Sequence, residues 1–347
     1  MTDSPFDLQM PELAPPRTVL VTGGTGFVGA NIVLHLAGHG YRVIAYDLLP
    51  PPPLLRHFWR AVESRIEFEA GSVTDPARLG EVGEQHRPAW IVHAAAVTAV
   101  DAAAEANLAS QIIEVNLDGT VRLLELSRRL AVRRMVYISS AGVYGRTDPQ
   151  VPILEDAPLM ASGSLYITAK QASERICQRW AELFGLDLLI GRLGQPYGPL
   201  ERDTGVRTVL SPIYQMARRG LAGGKVRVSL PDYGCDWTYT ADLATAVRLL
   251  LEAEAPSHRV YNLSNGRQRK VSDVIAALGQ LIPGAVFDWV GNDEPGDIDT
   301  RSDPRRGPLD ISRLRRDVGF EPAYDLDQGL TAALPWWQRM ALAGDGG

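Results

Sequence analysis

Thr18-Val19-Leu20-Val21-Thr22-Gly23-Gly24-Thr25-Gly26-Phe27-Val28-Gly29 opens as a β-branched apolar run, passes through a glycine-rich turn, and enters a segment of helical spacing over 27–39. A run that is apolar at every position, rather than at every second one, suits a strand covered on both faces. Working outward, short strand-like runs recur at 42–46, 66–70, 90–93, 134–139, 187–192 and 259–263, several of them apolar on both faces, and the stretches 106–130 and 166–184 have helical length and period. Strands alternating with crossover helices predict an α/β chain whose parallel sheet is doubly wound. After Arg192 the rhythm breaks. Loop-like 194–205, helical 210–219 and glycine-bounded 223–236 form one insert, and the Pro-, Gly- and Asp-rich stretch 283–308 begins another. The expected layout is a flexible arm over 1–17, a main domain over 18–192 plus 237–265, and a smaller C-terminal substrate lobe over 193–236 plus 266–347.

Bulk properties narrow the class. The chain has 347 residues, 45% of them hydrophobic and 22% charged, which is enough to build a substantial core. Its net charge is −6, and its only lysines are Lys170, Lys225 and Lys270. Without a basic stripe, no nucleic-acid partner is expected, because phosphate neutralisation supplies most of that affinity. Cys177 and Cys235 are too sparse for a disulfide framework or a metal knuckle, so no metal is expected. The first residues lack the positive start and apolar run of a secretory signal, and no stretch reaches the ~18 to 20 apolar residues that span a bilayer. The expectation is a cytoplasmic protein without a membrane partner, acting on a small molecule.

The glycine turn has a chemical reading. Glycines allow a tight turn and close backbone approach to a pyrophosphate, and the helix that follows offers N–H groups and a positive dipole end to phosphates. Gly23, Gly26, Phe27, Val28 and Gly29 are therefore candidate dinucleotide contacts. The second strand leads into Asp47, placed as the acid that accepts hydrogen bonds from the adenosine 2′-hydroxyl and repels a 2′-phosphate. Leu48 and Leu49 follow it rather than Arg, which favours NAD over NADP. Asp75 is a candidate adenine contact or, equally, a helix cap.

Tyr166 and Lys170 lie four apart and share a face if 166–184 is helical. An ammonium beside a phenol favours the phenolate, and bringing a tyrosine from about 10 to near 7 takes about 4 kcal/mol. With 11 tyrosines in 347 residues and lysine this scarce, chance supplies about 0.1 such pairs, so location has to strengthen the reading. It does: the strand over 134–139 runs into Ser140 at the carboxyl edge, where open α/β sheets bind ligands. Ser140 could hold a reacting hydroxyl within reach of Tyr166. Its alternative is to cap the next segment.

Taken together, 22–29, Asp47, 92–96, 114–120, 137–145, Tyr166 with Lys170, 192–199, 236–242 and 261–263 resemble the extended short-chain dehydrogenase/reductase family, also called the NAD-dependent epimerase/dehydratase family. The likeness runs from Val19 to about Leu330. It implies a Rossmann fold, NAD as cofactor, and hydride transfer at a carbinol carbon with Ser140, Tyr166 and Lys170 as the catalytic triad. It further implies that Ala94, Ala95, Ala96, Asn116 and Pro196 line the cofactor, that Lys170 also holds the nicotinamide ribose, that Gln195 faces the substrate, and that the protein pairs as a homodimer through 106–130 and 166–184.

Departures from the family pattern bear on the substrate. Dehydratases of the family carry an Asp-Glu pair after the catalytic hydroxyl; here Ala141 and Gly142 stand there, which opposes water elimination. Family members that bind a nucleotide-sugar diphosphate commonly use arginines where this chain has Cys235 and Glu294, and losing two guanidinium forks opposes a diphosphate. Arg301, Arg305 and Arg306 are nearby candidates to compensate. Arg202 and Arg207 are candidate grips for a carboxylate on a smaller polyhydroxy substrate. The preferred expectation is an NAD-dependent oxidoreductase of a small sugar, sugar acid or polyol. The alternatives are a nucleotide-sugar 4-epimerase with tightly bound NAD, and a non-catalytic NAD-sensing protein.

Overall fold

Seven apolar runs become strands of one parallel sheet: β1 Thr18–Thr22, β2 Arg42–Asp47, β3 Ile66–Ala70, β4 Trp90–His93, β5 Arg134–Ser140, β6 Leu188–Leu193 and β7 Val260–Leu263. The structure is a computed structural model that describes residues 17–343 apart from 100, 206–209, 230–231, 292–293 and 301–304. The arm over 1–16, Arg207 and Arg301 therefore lie outside the described residues. Across the sheet the order is β7-β6-β5-β4-β1-β2-β3, with every pairing parallel. The order reverses between β1 and β4, and the carboxyl ends of those two strands frame the crevice where such sheets bind ligands.

The reason for the continuous apolar runs is visible in the packing. Val19, Val21, Val43, Ala45 and Val92 face one core with the helices Phe27–Gly38 and Thr240–Glu252. Leu20, Ile44, Ile91, Met135 and Tyr137 face a second core under the helices Gly119–Leu130 and Leu165–Phe184. Successive side chains of each strand thus enter opposite cores, and neither face of the central strands meets water.

Two expectations about elements change. The stretch 106–130 is not one uniform helix: it begins at Ala102, where Asp101 caps Ala104 N at 2.8 Å, and passes through a π turn, Glu114–Asp118, before Gly119–Leu130. Side-chain periodicity does not register such a turn, because the helix continues on either side of it. Trp237–Tyr239 does not resume the sheet; it pairs with Gln195–Tyr197 in a two-stranded ribbon, and the main sheet is rejoined only at β7. Further ribbons pair Gly234–Cys235 with Arg269–Lys270 and Lys225–Val228 with Val286–Trp289. The C-terminal helix Leu326–Ala343 contains Pro335 and buries Trp336, whose indole N–H donates to Glu201 O at 3.3 Å.

Candidate active site

The glycine turn is built by steric demand. Gly23 has φ +68°, and a Cβ there would lie 2.8 Å from Ala95 N and Cα, so the strand end at 94–96 passes directly over the turn. At Gly29 a Cβ would meet Gly23 O at 2.0 Å, which fixes how closely the helix Phe27–Gly38 approaches its own turn. Gly26 stands at the N-cap, no side chain caps that helix, and Phe27 is buried while Val28 is half-buried. The turn is thus stripped of side chains on the side where a phosphate would meet the helix N-terminus, so the residues present fit a dinucleotide.

Asp47 ends β2 beside the turn. Its Oδ2 accepts from Thr25 N at 3.0 Å and its Oδ1 from Leu48 N at 2.8 Å, which ties the end of β2 to the turn. Arg202 also arrives here. It is buried, it donates to Thr25 O and Leu200 O, burial pushes its pKa down, and neighbouring Asp47 pushes it back up. The structure therefore puts Arg202 on the back of the glycine turn, whereas the sequence reading put it with the substrate. The reason is the preceding residue pattern: Leu200, buried with φ +68°, turns the chain back toward the helix, where Asn31 Nδ2 holds Pro199 O at 2.9 Å. Asp75 serves as a helix cap, with Oδ1 accepting from Ala77 N at 3.0 Å and Arg78 N at 3.1 Å.

The wall after β4 is held from below. Asn116, buried in the π turn, accepts from Val97 N at 3.0 Å and donates to Val97 O at 2.8 Å, so it fixes the backbone that follows Ala94, Ala95 and Ala96. Ala95 N in turn donates to Thr22 Oγ1 at 3.4 Å. His93 lies between Thr22 and Thr120, at 2.7 and 3.1 Å. Because the Thr120 hydroxyl donates to Asn116 O, it must accept from His93 Nε2–H, and Nδ1 then accepts from Thr22. Burial lowers the His93 pKa to about 3, so it stays neutral and structural.

The helix Leu165–Phe184 starts at Ser164, whose Oγ accepts from Ile167 N, and presents Tyr166 and Lys170 on one face. Lys170 Nζ donates to Ile138 O at 2.8 Å, sits 4.8 Å from the centre of the Tyr137 ring, and lies 5.8 Å from that of Tyr166. Its side chain is only 2% exposed, and burial pulls its pKa down to about 8. The carbonyl and two ring faces offset part of the cost of enclosing that charge. Ser140 ends β5 beside it and does cap the next turn, accepting from Gly142 N at 3.0 Å; its own proton remains available to a ligand. A Cβ on Gly142 would come within 2.4 Å of Ile167 Cδ1, so a side chain at that position requires the tip of Ile167 to move.

A cleft opens at Ser140, with Gln195, Tyr233, Cys235, Asp236 and Arg306 among its walls. Asp236 is spent on structure: Ser264 Oγ and Leu309 N bind its Oδ2, Thr238 its Oδ1, and burial pushes its pKa up to about 6. Pro196 is half-buried in the same ribbon as Gln195. Glu294 does not place a free negative charge near the site; Arg227 Nη2 pairs with it at 3.0 Å on the surface.

Sequence reasoning missed the buried support beneath these groups. Glu174, one turn beyond Lys170, accepts from Ser139 Oγ at 2.5 Å and from Arg192 Nη2 at 2.6 Å, and Arg192 Nη1 reaches Tyr144 OH at 2.9 Å. The signal was present as spacing, since Tyr166, Lys170 and Glu174 repeat every four residues on one helix. Elsewhere, Glu67, Glu69 and His86 come within metal-ligand spacing, but Arg42 and Arg78 already bond to the same groups.

A family model described as the NAD dependent epimerase/dehydratase family matches residues 19–264. Among curated proteins, a dTDP-glucose 4,6-dehydratase of Xanthomonas campestris pv. campestris is 28% identical over 340 residues, covering 92% of this chain and 93% of that protein. Among solved structures, a UDP-glucose 4-epimerase from Stenotrophomonas maltophila with bound NAD and formylated UDP-arabinopyranose is 25% identical, with a TM-score of 0.80 over 94% of this chain and 100% of that one. A UDP-glucose 4-epimerase from Thermotoga maritima with UDP-glucose gives 25% identity and a TM-score of 0.78 over 93% and 99%.

Proposed function

The chain belongs to the NAD-dependent epimerase/dehydratase family, and from that premise we propose that it reversibly oxidises one secondary alcohol of a small sugar, sugar acid or polyol with NAD. The observation that carries the reading is the enclosed Lys170 ammonium beside the Tyr166 ring, next to a cleft that opens at Ser140. NAD supplies the hydride acceptor when bound, held by the turn at Gly23, Gly26, Phe27, Val28 and Gly29, by Asp47, and by the wall at Ala94, Ala95, Ala96 and Pro196. Asn116 shapes that wall and Arg202 braces the turn. Ser140 orients the substrate hydroxyl, Tyr166 takes its proton, and Lys170 favours the ionised form of Tyr166 by its charge. Gln195 completes the substrate side.

The dehydratase and epimerase names of the relatives are the main competitors. Ala141 and Gly142 leave this chain without the acid–base pair of elimination. The near-complete overlay on epimerases favours a nucleotide-sugar 4-epimerase as the second reading. Cys235 in the cleft wall, where a diphosphate-binding arginine would stand, opposes it. Screening sugar acids and polyols for NADH formation decides between the two. Redox-neutral turnover of a UDP-sugar by protein carrying co-purified NAD, with no NADH from the panel, overturns the dehydrogenase.

A cytoplasmic homodimer completes the proposal. Among the described residues no helix is long and apolar enough to cross a membrane. Leu183 and Phe184, 54% and 45% exposed at the end of the helix Leu165–Phe184, leave apolar surface that a second copy would cover. Light scattering on the eluting protein measures the mass.

A further inference from the structure

We propose that Arg306 is the substrate's anion clamp and that the substrate carries a carboxylate, a uronate or an aldonate rather than a neutral sugar or a diphosphate. The inference rests on the cleft at Ser140 being the substrate site. Arg306 lines that cleft and is the only cationic residue to do so among the described residues. No carboxylate pairs with its guanidinium among them, whereas Asp236, the only carboxylate in the wall, is consumed by Ser264, Thr238 and Leu309. The Arg306 guanidinium is therefore without a carboxylate partner among the described residues, while Asp236 keeps its charge but has its oxygens turned to those neutral donors.

The backbone that bears this charge is pinned. Thr147 N donates to Arg305 O at 3.1 Å, Gln268 Nε2 to Arg306 O at 2.8 Å, and Gly307 N to Thr147 Oγ1 at 3.0 Å. A Cβ at Gly307 would meet Val151 O at 1.9 Å, so the segment is pressed against the loop 148–151 and glycine is required there. A guanidinium on a fixed backbone loses less freedom when it grips a planar anion, and its fork matches a carboxylate in two parallel hydrogen bonds. A diphosphate brings two charged groups and would want a second cation. Position 235, where the family pattern has an arginine, is a cysteine in the same wall, and Arg306 is the only cation among the described lining residues.

The test is calorimetric binding to the NAD-loaded protein of a panel of hexuronates and of tetronates, pentonates and hexonates, each against its uncharged parent sugar or polyol. Wild type, Arg306→Gln and Arg306→Lys are compared. The wild type should prefer at least one acid over its parent by about tenfold or more, the scale of one charge-assisted fork. Arg306→Gln should lose that preference, Arg306→Lys should keep part of it, and NAD affinity should be the same in all three. If no acid is bound better than its parent, or if Arg306→Gln keeps the preference, the clamp is refuted. NADH formation is read separately. Turnover indifferent to the carboxylate leaves the dehydrogenase standing and removes the clamp, while acid-selective binding without NADH keeps the clamp and removes the dehydrogenase.

Discussion

Replacing Lys170 by Met tests the charge arrangement on which catalysis depends. The ammonium lies 5.8 Å from the centre of the Tyr166 ring, and at an effective dielectric near 20 a unit charge at that separation stabilises a phenolate by about 3 kcal/mol. That equals about two pH units on the acid limb of the rate profile. Lys170 is itself pulled down to about 8 by burial, so its charge is present below that pH and lost above it. Once Tyr166 ionises it raises the ammonium pKa in turn by the same shift of about two units, so the wild-type profile of kcat/KM for alcohol oxidation should be a bell whose alkaline limb lies above pH 8. In Lys170→Met the alkaline limb should vanish and the acid limb should move up by about two units, an approximately 100-fold loss at pH 7 that shrinks as the pH rises. Methionine leaves Ile138 O without its donor, a cost of about 1 to 3 kcal/mol, so folding is checked by circular dichroism. Ultraviolet titration of each protein against its Tyr166→Phe counterpart reads the phenol without any substrate. A uniform drop in rate with the acid limb unmoved would refute the electrostatic role and leave Lys170 as a cofactor-binding residue only.

Gly29→Ala should abolish NAD binding measured by fluorescence, because its Cβ would need the space of Gly23 O, while secondary structure by circular dichroism persists. Glu174→Ala should strand the buried Arg192 guanidinium and lower stability by about 3 to 5 kcal/mol in urea unfolding; a loss under about 1 kcal/mol would show that the pair is dispensable. His93 has a folded pKa near 3 against 6.5 when unfolded. The unfolded chain therefore binds the extra proton first, and the contribution, of order 5 kcal/mol at its limit, is intact above pH 6.5 and is lost as pH falls toward 3. His93→Gln should flatten that acid decline in chemical-denaturation curves, and an unchanged slope would show that His93 is not its source.

Legibility in the sequence followed the range of the interactions. β1 and β4 are read to their end residues because each is buried at every position, and the glycine turn is a local steric device directly after β1. Tyr166 and Lys170 are found because helical spacing alone brings them to one face. The π turn at Glu114–Asp118 leaves apolar spacing intact on both sides and shows only through the burial of Asn116. Trp237–Tyr239 misleads because three residues cannot declare which neighbour they will pair with; their partner is Gln195–Tyr197. Arg202 misleads for a similar reason: one left-handed residue, Leu200, sends it to the cofactor turn instead of the substrate side.

Charge is where position along the chain is least informative. Glu294, read at its place in the sequence, adds a negative charge against a phosphorylated substrate; in the fold it is paired with Arg227, and its effect on the cleft is screened at the surface. Asp236 carries a formal charge into the cleft wall, yet its oxygens are filled by protein donors. What these pairings leave open to a ligand among the described lining residues is the guanidinium of Arg306 and the hydroxyl of Ser140. A substrate that matches one fixed cation and one hydrogen-bonding hydroxyl is a small hydroxy acid. That match depends on segments about 160 residues apart along the chain, joined through Thr147 and Gly307, which is why no motif announces it.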